Sequence, residues 1–369
     1  MRLSHRFAFV FFVTALASLT LTLACNSSKN TQSAQEQDKS IIGAGSTFIN
    51  PIMTHWIADF QKDHPGVEIN YQSIGSGGGI QQLKQGLVDF GASDAALDDQ
   101  KLKDMPSLVQ IPESAGPVCI TYNLPELKEP LKLSPTALSG IYLGTIKTWQ
   151  DPQIRKDNPG VKLPKEAIVV AHRSDGSGTS NIFTTYLAAV SPEWEKKVGK
   201  GLSVSWPVGV GGKGSEGVTG SVRQMPGAIG YVELSYATEN KLPVASIENA
   251  AGQWIAPTAA GATAAIDAMH DQLAQDVRTP VVNPPASAKD AYPISGLTFL
   301  LIPKQGKTPQ KEEIVKEFVQ YIITNGQQAS EGLEYAKLPD SLVTQDDKLL
   351  AELQTGGTQQ TSQSLPPSR

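Results

Sequence analysis

The segment Arg173-Ser174-Asp175-Gly176-Ser177-Gly178-Thr179 gathers one permanent cation, several hydroxyls and a run of backbone N–H donors. Donors of that kind bind anions. Ala167 to Ala171 just upstream reads as a short buried strand, and Ile182, Phe183, Tyr186 and Leu187 downstream have helical spacing. The first N–H groups of a helix lack an intrahelical acceptor, and the helix dipole adds partial positive charge there. Taken alone, the segment is equally well an ordinary strand-to-helix turn in which Gly176 and Gly178 relax the backbone.

The same construction occurs twice more. Gly43-Ala44-Gly45-Ser46-Thr47-Phe48 follows the apolar pair Ile41-Ile42 and precedes Phe48, Ile52, Trp56, Ile57 and Phe60 at helical spacing. Val67 to Tyr71 alternates like a half-buried strand and leads into Gly75-Ser76-Gly77-Gly78-Gly79, with a helix expected to open at Ile80. Three such junctions suit one small, strongly hydrated oxyanion, because a dehydrated tetrahedral anion needs donors from several directions.

A carboxylate adds selectivity. Val88 to Ala95 reads as a strand followed by a loop, which places Asp94 at a strand's carboxyl end. A lone Asp there is commonly a cap or turn former. In an anion site it does more: an ionised carboxylate only accepts, so it tolerates an oxyanion only if that anion carries a proton. Phosphate carries one at neutral pH and sulfate does not. The mismatch with sulfate in a dry site costs on the order of several kcal/mol.

Strand–helix alternation along the chain predicts an α/β fold with a mainly parallel sheet. Its 369 residues, 40% hydrophobic and 18% charged, suffice for two lobes with their own cores. The net charge is −5. An acidic protein must hold an anion through local dipoles and hydrogen bonds, and no basic stripe interleaved with aromatics points to nucleic acid. Cys119, between Val118 and Ile120, reads as an inert thiol in a buried strand. Gly209-Val210-Gly211-Gly212-Lys213-Gly214 fits a dinucleotide-binding spacing, but no acidic residue on a following strand supports it. Gly214 after Lys213 excludes a Walker A motif, so this reads as a glycine-rich loop. His55, His64, His172 and His270 lack metal-ligand spacing, and His172 reads as solvated.

The motifs GAGSTF at 43–48, IGSGGG at 74–79, DFGASDA at 89–95 and RSDGSGTS at 173–180 resemble the periplasmic phosphate-binding proteins of the phosphate-specific ABC transporter. The resemblance continues through Trp206 to Gly214, Gly227 to Glu233 and Tyr292-Pro293-Ile294, over roughly residues 41 to 340. It implies a two-lobed periplasmic binding protein fold of type II, with the ligand cleft between the lobes and two hinge crossings. Residues 41–118 plus 295–346 would form one lobe and 119–294 the other. It also implies roles. Thr47 and Phe48 would donate backbone N–H, Thr47 its hydroxyl as well, and Ser76 both kinds. Asp94 would accept the phosphate proton, and Arg173, held by Asp175, would supply a charged fork. Ser177, Gly178 and Thr179 would donate from the helix start. Ser46 and Ser174 stand where the family often has other small residues, and neither is a ligand position.

Arg2, His5 and Arg6 precede an apolar run from Phe7 to about Leu23, a signal peptide over 1–24. Its loss removes two cations and no acid, leaving the rest more acidic still. Cys25 after Ala24 resembles a bacterial lipobox, with Thr22 and Leu23 as departures, so lipidation at Cys25 and a flexible linker over 25–40 are expected. The tail at 347–369, Gln/Thr/Ser/Pro-rich from Gln354, is expected to be disordered. The implied protein is a monomer in the periplasm or on the outer face of the cell membrane. It binds inorganic phosphate, passes it to a membrane permease and its ATPase, and needs no cofactor or metal. A phosphate-ester hydrolase using Ser177 or Ser76 as nucleophile, and a sulfate binder, are the alternatives. The first has no Ser placed by sequence beside a base, and Asp94 opposes the second.

Overall fold

The computed structural model describes residues 39–355. The signal segment 1–24, Cys25 and the linker to residue 38 lie outside the described residues. Among the described residues, eleven strands run in chain order: β1 (Ser40–Gly45), β2 (Glu68–Ser73), β3 (Phe90–Ser93), β4 (Leu108–Tyr122), β5 (Lys132–Leu133), β6 (Val169–Arg173), β7 (Val210–Gly212), β8 (Ala228–Glu233), β9 (Ser246–Glu248), β10 (Trp254–Ile255) and β11 (Ser295–Pro303). Eight of them form one sheet in the order β2-β1-β3-β11-β4-β8-β6-β7, and β10-β9-β5 form a small second sheet. The expected linker end at 40 is corrected by one residue, since Ser40 already pairs with Glu68.

The large sheet is parallel at both ends and antiparallel across its centre. β1 pairs parallel with β2 and β3, and β6 pairs parallel with β7 and β8. Between them, β11 runs antiparallel to both β3 and β4, and β4 runs antiparallel to β8. The mainly parallel expectation is thus corrected at the centre, where the chain passes between the two halves in opposite directions. β4 carries the outward passage. Its residues Leu108 to Pro117 pair with β11, and Val118 to Tyr122 pair with β8. The return starts at Ser295, opposite Pro117, and Val118 N–H reaches the Ile294 carbonyl at 2.8 Å. Cys119 lies fully buried just past the handover, where burial pushes its thiol well up.

Helices cover the sheet, and their sequences explain where they begin. In Asn50–Asp63, Pro51 occupies the first turn, where its missing N–H costs nothing, and Ile52, Met53, Trp56 and Phe60 line the buried face. Phe60 meets Phe318 edge-on at 5.1 Å, and the Trp56 indole N–H satisfies itself on the Gly326 carbonyl at 2.8 Å. In Gly178–Val190, the Ser177 hydroxyl caps the helix by accepting Ser180 N–H at 3.0 Å, and Phe183 packs edge-on to Tyr142 at 4.7 Å.

Two boundary expectations change. The glycine run Gly77-Gly78-Gly79 is not a loop before a helix at Ile80; it is the first turn of helix Ser76–Lys84. Contact with β1 demands it, since a Cβ on Gly79 would lie 2.4 Å from Gly45 Cα and 2.5 Å from the Ala44 carbonyl oxygen. The tail expected to be disordered from 347 is corrected over its first part, because the last helix runs Asp340–Thr355, and residues 356–369 lie outside the described residues. Leu342, Asp346 and Leu350, each four residues on, are buried along one helical face.

Candidate functional site

Three strand-to-helix junctions and the end of β3 converge at the handover between the halves. Thr47 lies between β1 and helix Asn50–Asp63, and Ser76 begins helix Ser76–Lys84 after β2. Asp94 directly follows β3. Arg173 ends β6, and Ser177 caps the helix whose first residues are Gly178 and Thr179. Thr47, Ser76, Asp94, Arg173, Ser177 and Thr179 are each at most 4% exposed. Buried polar groups at that density must partner one another or a ligand.

They bond across the cleft. Arg173 Nη1 donates to Thr47 Oγ1 at 3.0 Å. Its Nε and Nη2 grip Asp175 Oδ1 and Oδ2 at 2.8 and 2.6 Å, a two-pronged pair that fixes the plane of the guanidinium. Burial works against the Arg173 charge, but the hydrogen bonds and charge of Asp175 outweigh it and hold the pKa above its ordinary value. Burial would also raise Asp175, yet Arg173 and the Gly214 N–H at 3.0 Å keep it low.

On the facing wall, the Ser76 hydroxyl oxygen accepts Gly178 N–H at 3.1 Å and Asp94 N–H at 3.2 Å, leaving its own proton to donate. Thr179 Oγ1 donates to Asp94 Oδ2 at 3.4 Å. The Asp94 carboxyl is itself perturbed. Burial pushes it up to about 6, opposed by the Ser46 hydroxyl, the Arg173 charge and Thr179.

The residues expected to bind phosphate meet here, and three of them have their amide N–H on a protein partner, Gly178 on Ser76 Oγ being the first. Phe48 is fully buried and its N–H donates to the Ser46 hydroxyl at 3.0 Å. Ser177 spends its N–H on the Leu202 carbonyl at 2.8 Å, so its hydroxyl proton is the donor it can turn to the cleft. His172, expected to be solvated, is half-buried and stacks on Trp206 with ring centroids 5.0 Å apart.

The sequence reading missed a fourth junction. Gly214–Gln224 is a helix that follows β7, so the glycine-rich loop is another strand-to-helix corner. Ser215 N–H donates to Thr47 Oγ1 at 3.2 Å, and the two hydroxyls lie 2.8 Å apart. The Gly/Ser composition of residues 211–215 matched the other three corners and was the available signal. Tyr236 Oη donates to the Thr47 carbonyl at 2.6 Å, and Tyr335 Oη donates to the Phe48 carbonyl at 2.6 Å. Nothing local to Tyr236 or Tyr335 announces those contacts. Among the described residues, no group of three or more His, Cys, Asp or Glu is placed to hold a metal ion.

A sheet shared by two halves, with opposed buried donors at their junction, defines a two-lobed solute-binding protein. The family model described as "PBP superfamily domain" matches residues 30–325. The chain is 44% identical to the phosphate-binding protein PstS of Xylella fastidiosa over 87% of this chain and 88% of that one. It is 41% identical to PstS of Haemophilus influenzae over 84% and 91%. The chain therefore belongs to the PBP superfamily and, within it, to the PstS family. Its fold matches the crystal structure of a phosphate-binding protein from Stenotrophomonas maltophilia, with a TM-score of 0.61, 18% identity, and coverage of 85% of this chain and 93% of that one.

Proposed function

We propose that this protein binds inorganic phosphate, as the mono- or dihydrogen ion, between its two lobes and delivers it to an ABC importer without chemical change. The observation that carries the reading is the opposition of one buried guanidinium and one buried carboxylate across the cleft. Arg173 supplies charge-assisted donors, and Asp94 supplies an acceptor that only a protonated oxyanion satisfies. Thr47, Phe48, Ser76, Ser177, Gly178 and Thr179 complete the shell, with Asp175 holding Arg173. The lobes are residues 41–118 with 295–346, and 119–294. Ligand bridges them and favours the closed state, because only that state offers donors from both walls.

A binding role rather than hydrolysis is supported by the state of the serines. Ser76 Oγ accepts two backbone amides and Ser177 Oγ accepts a third, and among the described residues no hydrogen bond joins either hydroxyl to a histidine, lysine or carboxylate that would take its proton. The names of the relatives, phosphate-binding proteins, agree. Work outside the cytoplasm fits the apolar N-terminal run, with Cys25 as a lipid anchor and a monomer presented to the permease and its ATPase. Among the described residues, no helix is long and apolar enough to cross a membrane. Calorimetric titration with phosphate and with sulfate at pH 8 tests the reading. Tight phosphate binding with sulfate at least a hundredfold weaker supports it, and equal affinities overturn it.

A further inference from the structure

The Ser46 hydroxyl lies at the meeting point of three groups. It donates to Asp94 Oδ1 and accepts Phe48 N–H at 3.0 Å and Ile49 N–H at 3.4 Å. Ser46 is fully buried, and its own carbonyl is held by Tyr71 Oη at 2.8 Å. A hydroxyl has one proton and two lone pairs; with two amides on the oxygen side, the proton is directed at Asp94. The other carboxylate oxygen, Oδ2, faces the opposite wall, where Thr179 Oγ1 lies at 3.4 Å. Asp94 therefore has two unlike edges, one fixed by Ser46 and one turned to the cleft.

We propose that Ser46 is a positioning residue that keeps Asp94 ionised and aimed, and so sets the pH below which the protein stops distinguishing phosphate from an unprotonated oxyanion such as sulfate. This rests on the phosphate-binding reading above. A protonated Asp94 is itself a donor, and a donor satisfies a sulfate oxygen as well as a phosphate oxygen.

The other groups facing Asp94 leave Ser46 the deciding one. Arg173 favours the carboxylate from β6. Glu113 on β4 and Tyr71 on β2 would disfavour it if charged, but burial pushes Glu113 up to about 8 and Tyr71 well up, so both are neutral at and below neutral pH. Burial drives Asp94 toward protonation, and the Ser46 hydrogen bond is the strongest influence against it, ahead of Arg173 and Thr179.

Phosphate and sulfate affinities of the full protein and of Ser46→Ala, measured calorimetrically from pH 5 to pH 9, test this. The phosphate-to-sulfate ratio of the wild type should fall as pH drops through Asp94's titration. In Ser46→Ala the midpoint of that fall should move up by about one to two pH units, the equivalent of one hydrogen bond to a charged group. Both proteins meet the same ligand species at each pH, so phosphate's own titration cancels. Ser46→Cys, with a weaker donor, should fall between the two, and it carries the test alone if Ser46→Ala does not fold. Coincident midpoints for wild type and the folded variants would overturn the role of Ser46 while leaving phosphate binding intact. A wild type that binds both anions equally at every pH would instead overturn the binding reading itself.

Discussion

Placing a single methyl group at Gly178 tests whether both walls act on the same ligand. A Cβ there would lie 2.6 Å from Asp94 Cβ, from Asp94 Oδ2 and from Ser76 Oγ. Ordinary contacts are about 3.5 Å, so the shortfall is close to 1 Å against three atoms at once. Asp94 and Ser76 belong to one half and Gly178 to the other, and each is held by its own strand or helix. The cleft must therefore widen. Gly178 N–H now reaches Ser76 Oγ at 3.1 Å and Thr179 Oγ1 reaches Asp94 at 3.4 Å, and a further ångström takes both out of hydrogen-bonding range. An anion held from the far wall loses two donors from the helix start. At about 1.5–3 kcal/mol per hydrogen bond to a charged group, Gly178→Ala should weaken phosphate binding by roughly two to four orders of magnitude. Calorimetry reads the affinity, and a thermal melt of the ligand-free protein shows whether the lobes remain intact, as expected for a change confined to the cleft. Phosphate affinity within threefold of the wild type would refute the two-walled site.

Arg173→Ala removes the cleft's charge-assisted donors and leaves Asp175 without its partner, so phosphate affinity should fall by about two to three orders of magnitude in the same titration. Tyr236→Phe deletes a hydrogen bond from one lobe to the Thr47 carbonyl of the other, and should weaken phosphate binding by roughly fivefold to tenfold, about one hydrogen bond's worth. An unchanged dissociation rate in stopped flow would count against that contact. Glu113 is fully buried, its Oε1 accepts from Thr298 at 2.8 Å, and burial pushes its carboxyl from 4.5 to about 8. Between those values the folded protein holds a proton that the unfolded chain lacks. The contribution of Glu113 to stability is therefore largest below pH 4.5, falls by roughly 1.4 kcal/mol per unit as pH rises, and levels off above 8. Glu113→Gln should flatten that slope, so that denaturant melts of variant and wild type diverge, with the variant gaining, from pH 5 to pH 8. Parallel curves would show that Glu113 is ionised in the fold.

What could be read from the chain follows from the range of the interactions. The junctions at 43–48, 74–79 and 173–180 were legible because a strand, a Gly/Ser corner and a helix start are neighbours in sequence. Asp94 was legible for the same reason, since it ends the run that forms β3. Ser46 was visible as a residue, but its bond to Asp94 spans 48 positions and depends on β1 pairing with β3. Ser215 and Tyr236 reach Thr47 across 168 and 189 positions, and no local pattern encodes that. The first turn of helix Ser76–Lys84 was misread because intrinsic propensity disfavours three glycines in a helix. The close crossing over β1 overrides propensity there. The last helix was cut short because Gln and Thr composition outweighed the four-residue spacing of Leu342, Asp346 and Leu350.

The reading depends above all on a protonated anion held between the Asp94 carboxylate and the Arg173 guanidinium. A crystal structure of the protein grown with phosphate at pH 8 examines that contact directly. Phosphate should lie in the cleft with one oxygen about 2.5–2.7 Å from an Asp94 carboxylate oxygen, the length of a hydrogen bond to an ionised acceptor, and with others in reach of Arg173 and Thr179. Phosphate bound elsewhere, or in the cleft with Asp94 turned away from it, would contradict the account.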